Sequence, residues 1–376
     1  MNVSVARASM EKKGFRNLRV VAKVKESAII TSFYLEPENA QDWRAFNPGQ
    51  FLVFRVPVTN QGGTQNDYVL RNYSVSNSPN TKGQYRITVK REAAPIAGLP
   101  DGVSSCFLHD VVDVGHTLVA EGPRGEFVLD AASSRPVVLL SGGVGLTPMV
   151  SMLHSLASMS DRRAFFIHAC ENGDVHALRD EVLDLVATRP GLSAHYCYRL
   201  PTEQDRAEQH FHSEGFVSRE ILQSLLPIDD YEFYLCGPPP FMQAVYGILR
   251  SLGVQKQHIA YEFFGPATVL EPDSVPVQAT SRPPERIDPS SDATIVEFRK
   301  SGVKAAWDDK SESLLAFAEA HGLSPEFSCR AGICGTCKSH LIDGEVAYFE
   351  EPLDDLKPGE VLLCCSKPLG PVILEI

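Results

Sequence analysis

The sequence predicts a multidomain chain. An antiparallel β-barrel comes first, an α/β domain with a parallel sheet second, and a small β-rich domain around a cysteine loop third. Three observations carry this reading. From about Arg16 to Asp130, short apolar stretches alternate with turn residues, the rhythm of an antiparallel barrel. From about Arg135, continuous apolar runs alternate with helical stretches, as buried parallel strands and their crossovers do. Near the C-terminus, three cysteines crowd into the nine residues Cys329 to Cys337.

Composition sets the limits. A chain of 376 residues, 43% apolar and 22% charged, is ordinary globular material with room for two or three cores. It holds no apolar run of about 18 residues, so no membrane span is expected. Met1 to Phe15 mixes Arg7, Lys12 and Lys13 with polar residues, lacks the apolar centre of a signal peptide and reads as a flexible terminus. The nine cysteines do not form the framework of a secreted protein, which points to a reducing cytoplasm. The net charge of −12 argues against nucleic acid as a partner. A monomer that binds neither membrane nor nucleic acid is the expectation.

The barrel is read from Leu18–Val24, Ile29–Leu35 and Gln50–Val56, with Pro48-Gly49 as the turn before the third. Arg71-Asn72-Tyr73-Ser74 follows, then the strand Tyr85–Arg91. Such residues offer a charge for a phosphate, a ring for stacking and a hydroxyl donor. About thirty residues after Arg71, Gly102-Val103-Ser104-Ser105 opens a short helix, Ser104 to Asp110, whose free amides suit a pyrophosphate.

In the second domain, Pro136–Ser141 is a buried parallel strand that ends in Gly142-Gly143-Val144-Gly145-Leu146-Thr147-Pro148, with a helix from Met149 to Ala157. Glycine at a strand–helix turn lets the backbone approach a dinucleotide. Further strands are expected at Ala164–His168, Ser193–Tyr198 and Tyr231–Cys236. The last runs into Gly237-Pro238 and a helix, and ligands sit at such carboxyl ends of parallel strands. A closing strand lies in His258–Pro266 and holds Glu262, Phe263 and Phe264. Ala267 to Ser291 carries five prolines and reads as a semi-stiff linker.

In the third domain, Thr294–Arg299 and Ala305–Trp307 read as a hairpin through Ser301-Gly302. A helix follows from Ser313 to His321, capped by Ser311 or Ser313. The loop is Cys-x4-Cys-x2-Cys, with Cys364 after 26 more residues and Cys365 beside it. This is the ligand spacing of a plant-type 2Fe–2S cluster. Gly332 and Gly335 allow the open backbone angles such a loop needs, and Arg330 and the loop amides can hydrogen-bond the sulfurs. Structural zinc sites usually pair Cys-x2-Cys knuckles, and only one exists here. From Asp292 onward, 8 Lys and Arg stand against 15 Asp and Glu, a net −7. The densest patch is Glu350, Glu351, Asp354 and Asp355. It is either a solvated face or a docking face for a basic electron acceptor.

On these motifs the chain resembles the ferredoxin–NADP reductase superfamily. Arg-x-Tyr-Ser with the stretch Gly102–His109 is similar to its flavin domain. The resemblance implies that Arg71 binds the flavin phosphate, Tyr73 lies against the isoalloxazine and Ser74 hydrogen-bonds its reactive nitrogen. It places Gly102, Val103 and Ser105 at the pyrophosphate and Val89, Lys90 and Arg91 on the adenosine side. The glycine-rich Thr-Pro turn and the Cys-Gly-Pro turn resemble the superfamily's nicotinamide site, which implies roles for Gly143, Gly145, Thr147, Cys236, Gly237 and Pro238. The closing strand is similar to that of the reductase half of flavohaemoglobins. There the second aromatic covers the flavin where the nicotinamide lands, which implies Phe264, with Glu262 nearby. Ser74, Cys236, Phe264 and Glu262 are thus the catalytic candidates. The last 85 residues or so resemble plant-type ferredoxins and imply a β-grasp fold. They also imply Cys329, Cys334, Cys337 and Cys364 as cluster ligands, with Cys364 preferred to Cys365 because Ser366-Lys367-Pro368 aligns that way.

The order of domains resembles the reductase components of Rieske-type oxygenase systems, the phthalate dioxygenase reductase type. The limits expected are 16–130 for the flavin barrel, 135–266 for the nicotinamide domain, 267–291 for the linker and 292–376 for the ferredoxin domain. The resemblance implies an NAD(P)H-dependent oxidoreductase that passes electrons through flavin and cluster to a protein acceptor, foremost a terminal oxygenase. A haem or other metalloprotein acceptor is the alternative, and a non-catalytic redox sensor the third reading. Hydride transfer needs no titratable side chain, so the lack of an acid–base pair is expected. FAD is the expected flavin, with FMN, used by the phthalate type, as the alternative. NADH is expected over NADPH because Glu171 would repel a 2′-phosphate, whereas Arg199 would attract one.

Overall fold

The computed structural model describes residues 14–58, 68–93, 101–264, 270, 294–327 and 329–376. Most of the expected flexible terminus and of the expected linker lies outside the described residues. The chain divides into two compact units, Met1–Phe264 and Gly265–Ile376.

The first unit begins with β1 (Arg16–Lys25), β2 (Ile30–Pro37), β3 (Phe51–Pro57), β4 (Tyr68–Ser74), β5 (Tyr85–Lys90), the helix α1 (Val103–Asp110) and β6 (Thr117–Arg124). These strands form one antiparallel sheet in the order β4-β3-β6-β1-β2-β5. The sheet curls until its edges meet. Val75, just past β4, bridges Ile87 of β5, and the Ser76 N–H donates to the Arg86 carbonyl at 2.8 Å. Inward side chains of these strands make a closed core from Leu18, Val20, Phe33, Leu35, Phe54 and Ile87. Each contributes about 1.5–3 kcal/mol by leaving water. Tyr85 is buried with them, and its hydroxyl donates to the Arg44 carbonyl at 2.7 Å.

The same unit continues with β7 (Val137–Gly142), α2 (Leu146–Met159), β8 (Ala164–Cys170), α3 (Arg179–Ala187), β9 (Leu192–Tyr198) and α4 (Glu203–Glu208). It ends with β10 (Ser213–Glu214), α5 (Arg219–Leu225), β11 (Glu232–Gly237), α6 (Pro239–Ser251) and β12 (Ile259–Phe263). The sheet order is β10-β9-β8-β7-β11-β12, with every pairing parallel. All six residues of β7 are buried, as a central strand covered on both faces requires. The chain turns from β7 toward β8 on one side and later returns to β11 on the other. The crevice at such a reversal is where open α/β sheets bind ligands. Helix α2 starts at Leu146, three residues before the expected Met149. Pro148 falls in its first turn, where a missing N–H costs nothing.

The second unit holds β13 (Ile295–Phe298), β14 (Val303–Ala306), α7 (Leu314–Ala320), β15 (Lys338–Asp343), β16 (Val346–Tyr348), β17 (Glu360–Leu362), β18 (Ser366–Pro368) and β19 (Val372–Leu374). Its main sheet runs β14-β13-β19-β15-β17 and grips α7 through Leu314, Leu315 and Phe317, with β16 and β18 paired beside it. Ser313 caps α7 by accepting the Ala316 N–H at 3.2 Å. This is the expected β-grasp. Among the described residues no helix is long and apolar enough to cross a membrane.

Candidate functional site

Strand β4 ends at Ser74, which is 5% exposed and whose Oγ has no hydrogen-bond partner among the described residues. Leaving a buried hydroxyl unpaired costs about 1–3 kcal/mol, so a ligand atom is its natural counterpart. Asn72 Oδ1 and Ser104 Oγ are buried and, among the described residues, unpaired as well. The Tyr73 ring stands edge-on to Phe54 at 5.8 Å, and burial pushes its phenol well above the ordinary value, which keeps it a neutral stacking surface. Arg71 is exposed, with Nη1 donating to the Leu70 carbonyl at 2.7 Å. A charge at the rim, a neutral ring and three unpaired polar atoms fit a flavin.

The other residues expected around the flavin come together beside α1. Gly102 N–H donates to the Glu92 carbonyl at 2.8 Å, which sets the helix start against the end of β5. Ser105 Oγ donates to the Gly102 carbonyl and accepts the Glu92 N–H at 3.1 Å, and it is half of that latch rather than an unpaired donor. Val89 is buried and its carbonyl accepts from His109 Nε2 at 2.9 Å. Lys90 holds both oxygens of Glu92 at 3.0 Å, and Arg91 forks onto Asp110.

On the nicotinamide side, the turn Gly143–Gly145 into α2 touches the turn Gly237–Pro238 into α6, backbone to backbone. A Cβ on Gly145 would lie 2.7 Å from the Gly237 nitrogen, and one on Gly237 would lie 2.7 Å from the Phe241 ring. Only glycine permits this crossing. Cys236 sits at the centre, in register with Ser141 on β7 and Glu262 on β12. Burial first, then Glu262, pushes the Cys236 thiol up, so it stays protonated. Glu262 Oε2 is enclosed without a partner among the described residues, and burial raises its carboxyl to about 8. At neutral pH it is mostly the neutral acid. Thr147 Oγ1 donates to the Val144 carbonyl at 3.1 Å. Phe264 is half-buried against the core of the parallel sheet. Glu171 and Arg199, expected to act in opposition, are joined in a fork of 2.6 and 2.7 Å.

The cysteine loop aims its amides inward. Ile333 and Cys334 N–H donate to Cys329 Sγ at 3.4 and 3.3 Å, and Gly332 N–H donates to Cys364 Sγ at 3.3 Å. Positive φ at Gly332 (68°) and Gly335 (71°) turns the backbone this way. Such dipoles favour thiolate and bear on cluster potential. Cys365 Sγ points instead to the Leu362 carbonyl, 3.8 Å away. Among the described residues no three Cys, His, Asp or Glu side chains converge on one point. A two-iron cluster with four thiolates asks only two of each iron. One expectation is corrected. Arg330 does not reach the sulfurs, because its guanidinium pairs with Glu319 at 2.6 Å and stacks on Phe327 at 3.9 Å, where it gains both a charge and a ring.

Comparison with known proteins decides the family. Residues 17–129 match the oxidoreductase FAD-binding domain, residues 139–246 the oxidoreductase NAD-binding domain, and residues 296–369 the 2Fe–2S iron–sulfur cluster binding domain. The flavohem-like FAD/NAD-binding domain of nitric oxide dioxygenase from Vibrio cholerae O1 biovar El Tor is 36% identical, with a TM-score of 0.57, over 67% of this chain and 99% of that one. The chain belongs to this flavohaem-like reductase family, within the ferredoxin–NADP reductase superfamily. The reductase is an NAD(P)H oxidoreductase with FAD, NADH and a 2Fe–2S cluster as its cofactors. A flavohemoprotein of Bacillus thuringiensis subsp. konkukian is 45% identical over 260 residues, and the reductase spans 63% of its length. Phthalate dioxygenase reductase, at 22% identity and a TM-score of 0.55, shares the fold over 97% of this chain and 99% of its own.

The sequence reading passed over several buried polar groups. Asn72 and Ser104 stood inside motifs assigned to their neighbours. His168 is fully buried, donor or acceptor to Ser141 Oγ at 2.9 Å, and its ring lies tilted against that of His176 with centroids 4.6 Å apart. Burial lowers it to about 3, so it is neutral. A single histidine in an apolar strand gives no sign of such a partner.

Proposed function

We propose that this reductase is the NADH-dependent component of a Rieske-type oxygenase system and delivers electrons singly from its ferredoxin domain to a terminal oxygenase. One observation supports this above the others: FAD, NAD and 2Fe–2S domains follow one another in one chain, in a fold shared end to end with phthalate dioxygenase reductase. When bound, the nicotinamide supplies a hydride, and the flavin and cluster convert it to single electrons.

The chain's own residues do the holding. Arg71 supplies charge for the flavin phosphate, Tyr73 a stacking face and Ser74 a hydroxyl donor. Gly102, Val103 and Ser105 receive the pyrophosphate, and Val89, Lys90 and Arg91 border the adenosine. Gly143, Gly145, Thr147, Cys236, Gly237 and Pro238 would form the nicotinamide wall, and Phe264 would supply an aromatic cover for the flavin where the nicotinamide lands. Glu262 holds a proton near this wall at neutral pH. Cys329, Cys334, Cys337 and Cys364 ligate the cluster. In the ferredoxin domain, Phe349 is 53% exposed and is followed by exposed Glu350 and Glu351. An apolar centre with an acidic rim suits an acceptor that presents basic residues. We place the molecule in the cytoplasm as a monomer, with domains at 16–130, 135–266 and 292–376.

A second acceptor class is favoured by the 45% identity to a flavohemoprotein: a haem protein. The test is NADH consumption by the purified reductase with a Rieske oxygenase component or with a haem acceptor. Coupled turnover with the Rieske component alone supports the proposal, and turnover with haem acceptors alone transfers it to the second class. Failure to reduce even cytochrome c would leave only a redox sensor.

A further inference from the structure

One carboxylate ties together the two segments that carry the opposing halves of the site. Glu181 lies in the first turn of α3. It accepts from Arg86 Nη1 at 2.6 Å and Nη2 at 2.9 Å, and Oε1 also meets His154 Nε2 at 2.6 Å. Arg86 is a barrel residue on β5, 4% exposed. The rest of its guanidinium grips Ser76: Nε donates to Oγ at 3.0 Å and Nη2 to the carbonyl at 2.6 Å. Ser76 is two residues from Ser74. His154 belongs to α2, two turns after Thr147. A second bond runs in parallel, from Ser151 Oγ on α2 to the Asn77 carbonyl at 3.0 Å.

We propose that Glu181 is a positioning residue. Through Arg86 it fixes the Ser74–Asn77 segment, and through His154 it fixes helix α2, so that the flavin and nicotinamide faces meet at a set distance and angle. The proposal rests on the reading of Ser74 and Thr147 given above. A buried ion pair can commonly be replaced by apolar side chains of similar volume at no loss, whereas removing one partner alone is costly. What the pair provides over apolar packing is direction. A guanidinium fork on a carboxylate accepts one geometry, while apolar surfaces slide.

The experiment compares wild type, Glu181→Gln and the double variant Arg86→Met with Glu181→Leu. Anaerobic stopped-flow reduction by NADH is followed in each and expressed per bound flavin. The long-wavelength absorbance of nicotinamide stacked on flavin is read in the same traces, and Tm is measured separately. Reduction of the wild-type flavin by NADH checks the site reading on its own, before any variant is compared. Glu181→Gln should lower the limiting rate on the order of tenfold to a hundredfold, as a displacement of up to about 1 Å does, with little change in the NADH concentration needed for half-maximal rate. The stacking absorbance should fall with the rate. The double variant should keep or exceed the wild-type Tm and still be slow. A double variant that is stable and reduces at the wild-type rate would overturn the proposal, as would an unchanged limiting rate in Glu181→Gln.

Discussion

Ser74 and Glu262 show how a fold can hold polar atoms in reserve. Each has an oxygen buried without a partner among the described residues, and each was chosen from a motif rather than from its surroundings. Removing the unpaired hydroxyl should leave the flavin-free protein as stable as before, or more so. Ser74→Ala should therefore keep the apoprotein Tm while it weakens flavin retention, by about 1–3 kcal/mol if the hydroxyl meets a ligand atom. Equilibrium flavin release measures the second effect, and an unchanged affinity would remove Ser74 from the site. Glu262 makes a pH prediction. Its folded value, about 8, lies above the ordinary carboxyl range. The stability linked to its neutral form is complete below about 4.5, the unfolded value, and is lost as pH rises through 8. Tm of Glu262→Gln relative to wild type should climb between those limits. A constant gap across them would mean that the carboxyl is ionised throughout.

Nucleotide choice also belongs to single residues. Arg199 holds the Glu171 carboxylate, and the pair keeps both groups charged, with Glu171 lowered and Arg199 raised by the contact. A 2′-phosphate must compete with that carboxylate. Both side chains are well exposed, and exposed pairs are worth about 0.2–1 kcal/mol. Glu171→Gln should raise kcat/KM for NADPH up to about fivefold and leave NADH nearly unchanged. A wild type that already prefers NADPH would show that the pair opens at no cost. The sequence named both residues and their signs. It could not show that they cancel, because strand ends β8 and β9 become neighbours only in the sheet.

At the scale of elements, the cluster loop was the most legible part. Its spacing is set by ligand chemistry, and its glycines by the angles the amides must take to face the sulfurs. Central strands were legible for a similar reason, since Val137–Leu140 is apolar without interruption. Less legible were the closures made by distant partners. The Val75–Ile87 bridge shuts the barrel, and the Gly145–Gly237 contact joins two turns nearly a hundred residues apart. The start of α2 lies three residues earlier than expected because Thr147-Pro148, grouped with the glycine turn, belongs to the first turn of the helix. The loop makes its own prediction. Cys364→Ser should abolish the visible absorption of the cluster, and Cys365→Ser should preserve it, because of these two it is Cys364 Sγ that receives a loop amide among the described residues. The opposite outcome would exchange the two ligands.

For the whole molecule, charge is the feature with the longest reach. The ferredoxin segment carries −7 of the net −12. If its acidic rim meets a basic acceptor, added salt should slow acceptor reduction steeply while leaving flavin reduction by NADH almost untouched, since exposed charges are screened beyond about 10 Å at 0.1 M. The identity of that acceptor is not legible, because one acidic face complements many basic ones. The two compact units bear on the path of electrons as well. A flavin half that folds by itself should survive damage to the cluster. The measurement closest to the central claim is therefore anaerobic mixing of NADH with wild type and Cys334→Ser, with flavin bleaching followed optically and the cluster by its paramagnetic resonance when reduced. Wild type should show flavin bleaching and then the signal of a reduced 2Fe–2S cluster, and Cys334→Ser should bleach at the same rate with no such signal. A wild-type cluster that NADH leaves oxidised while the flavin is reduced would contradict the account.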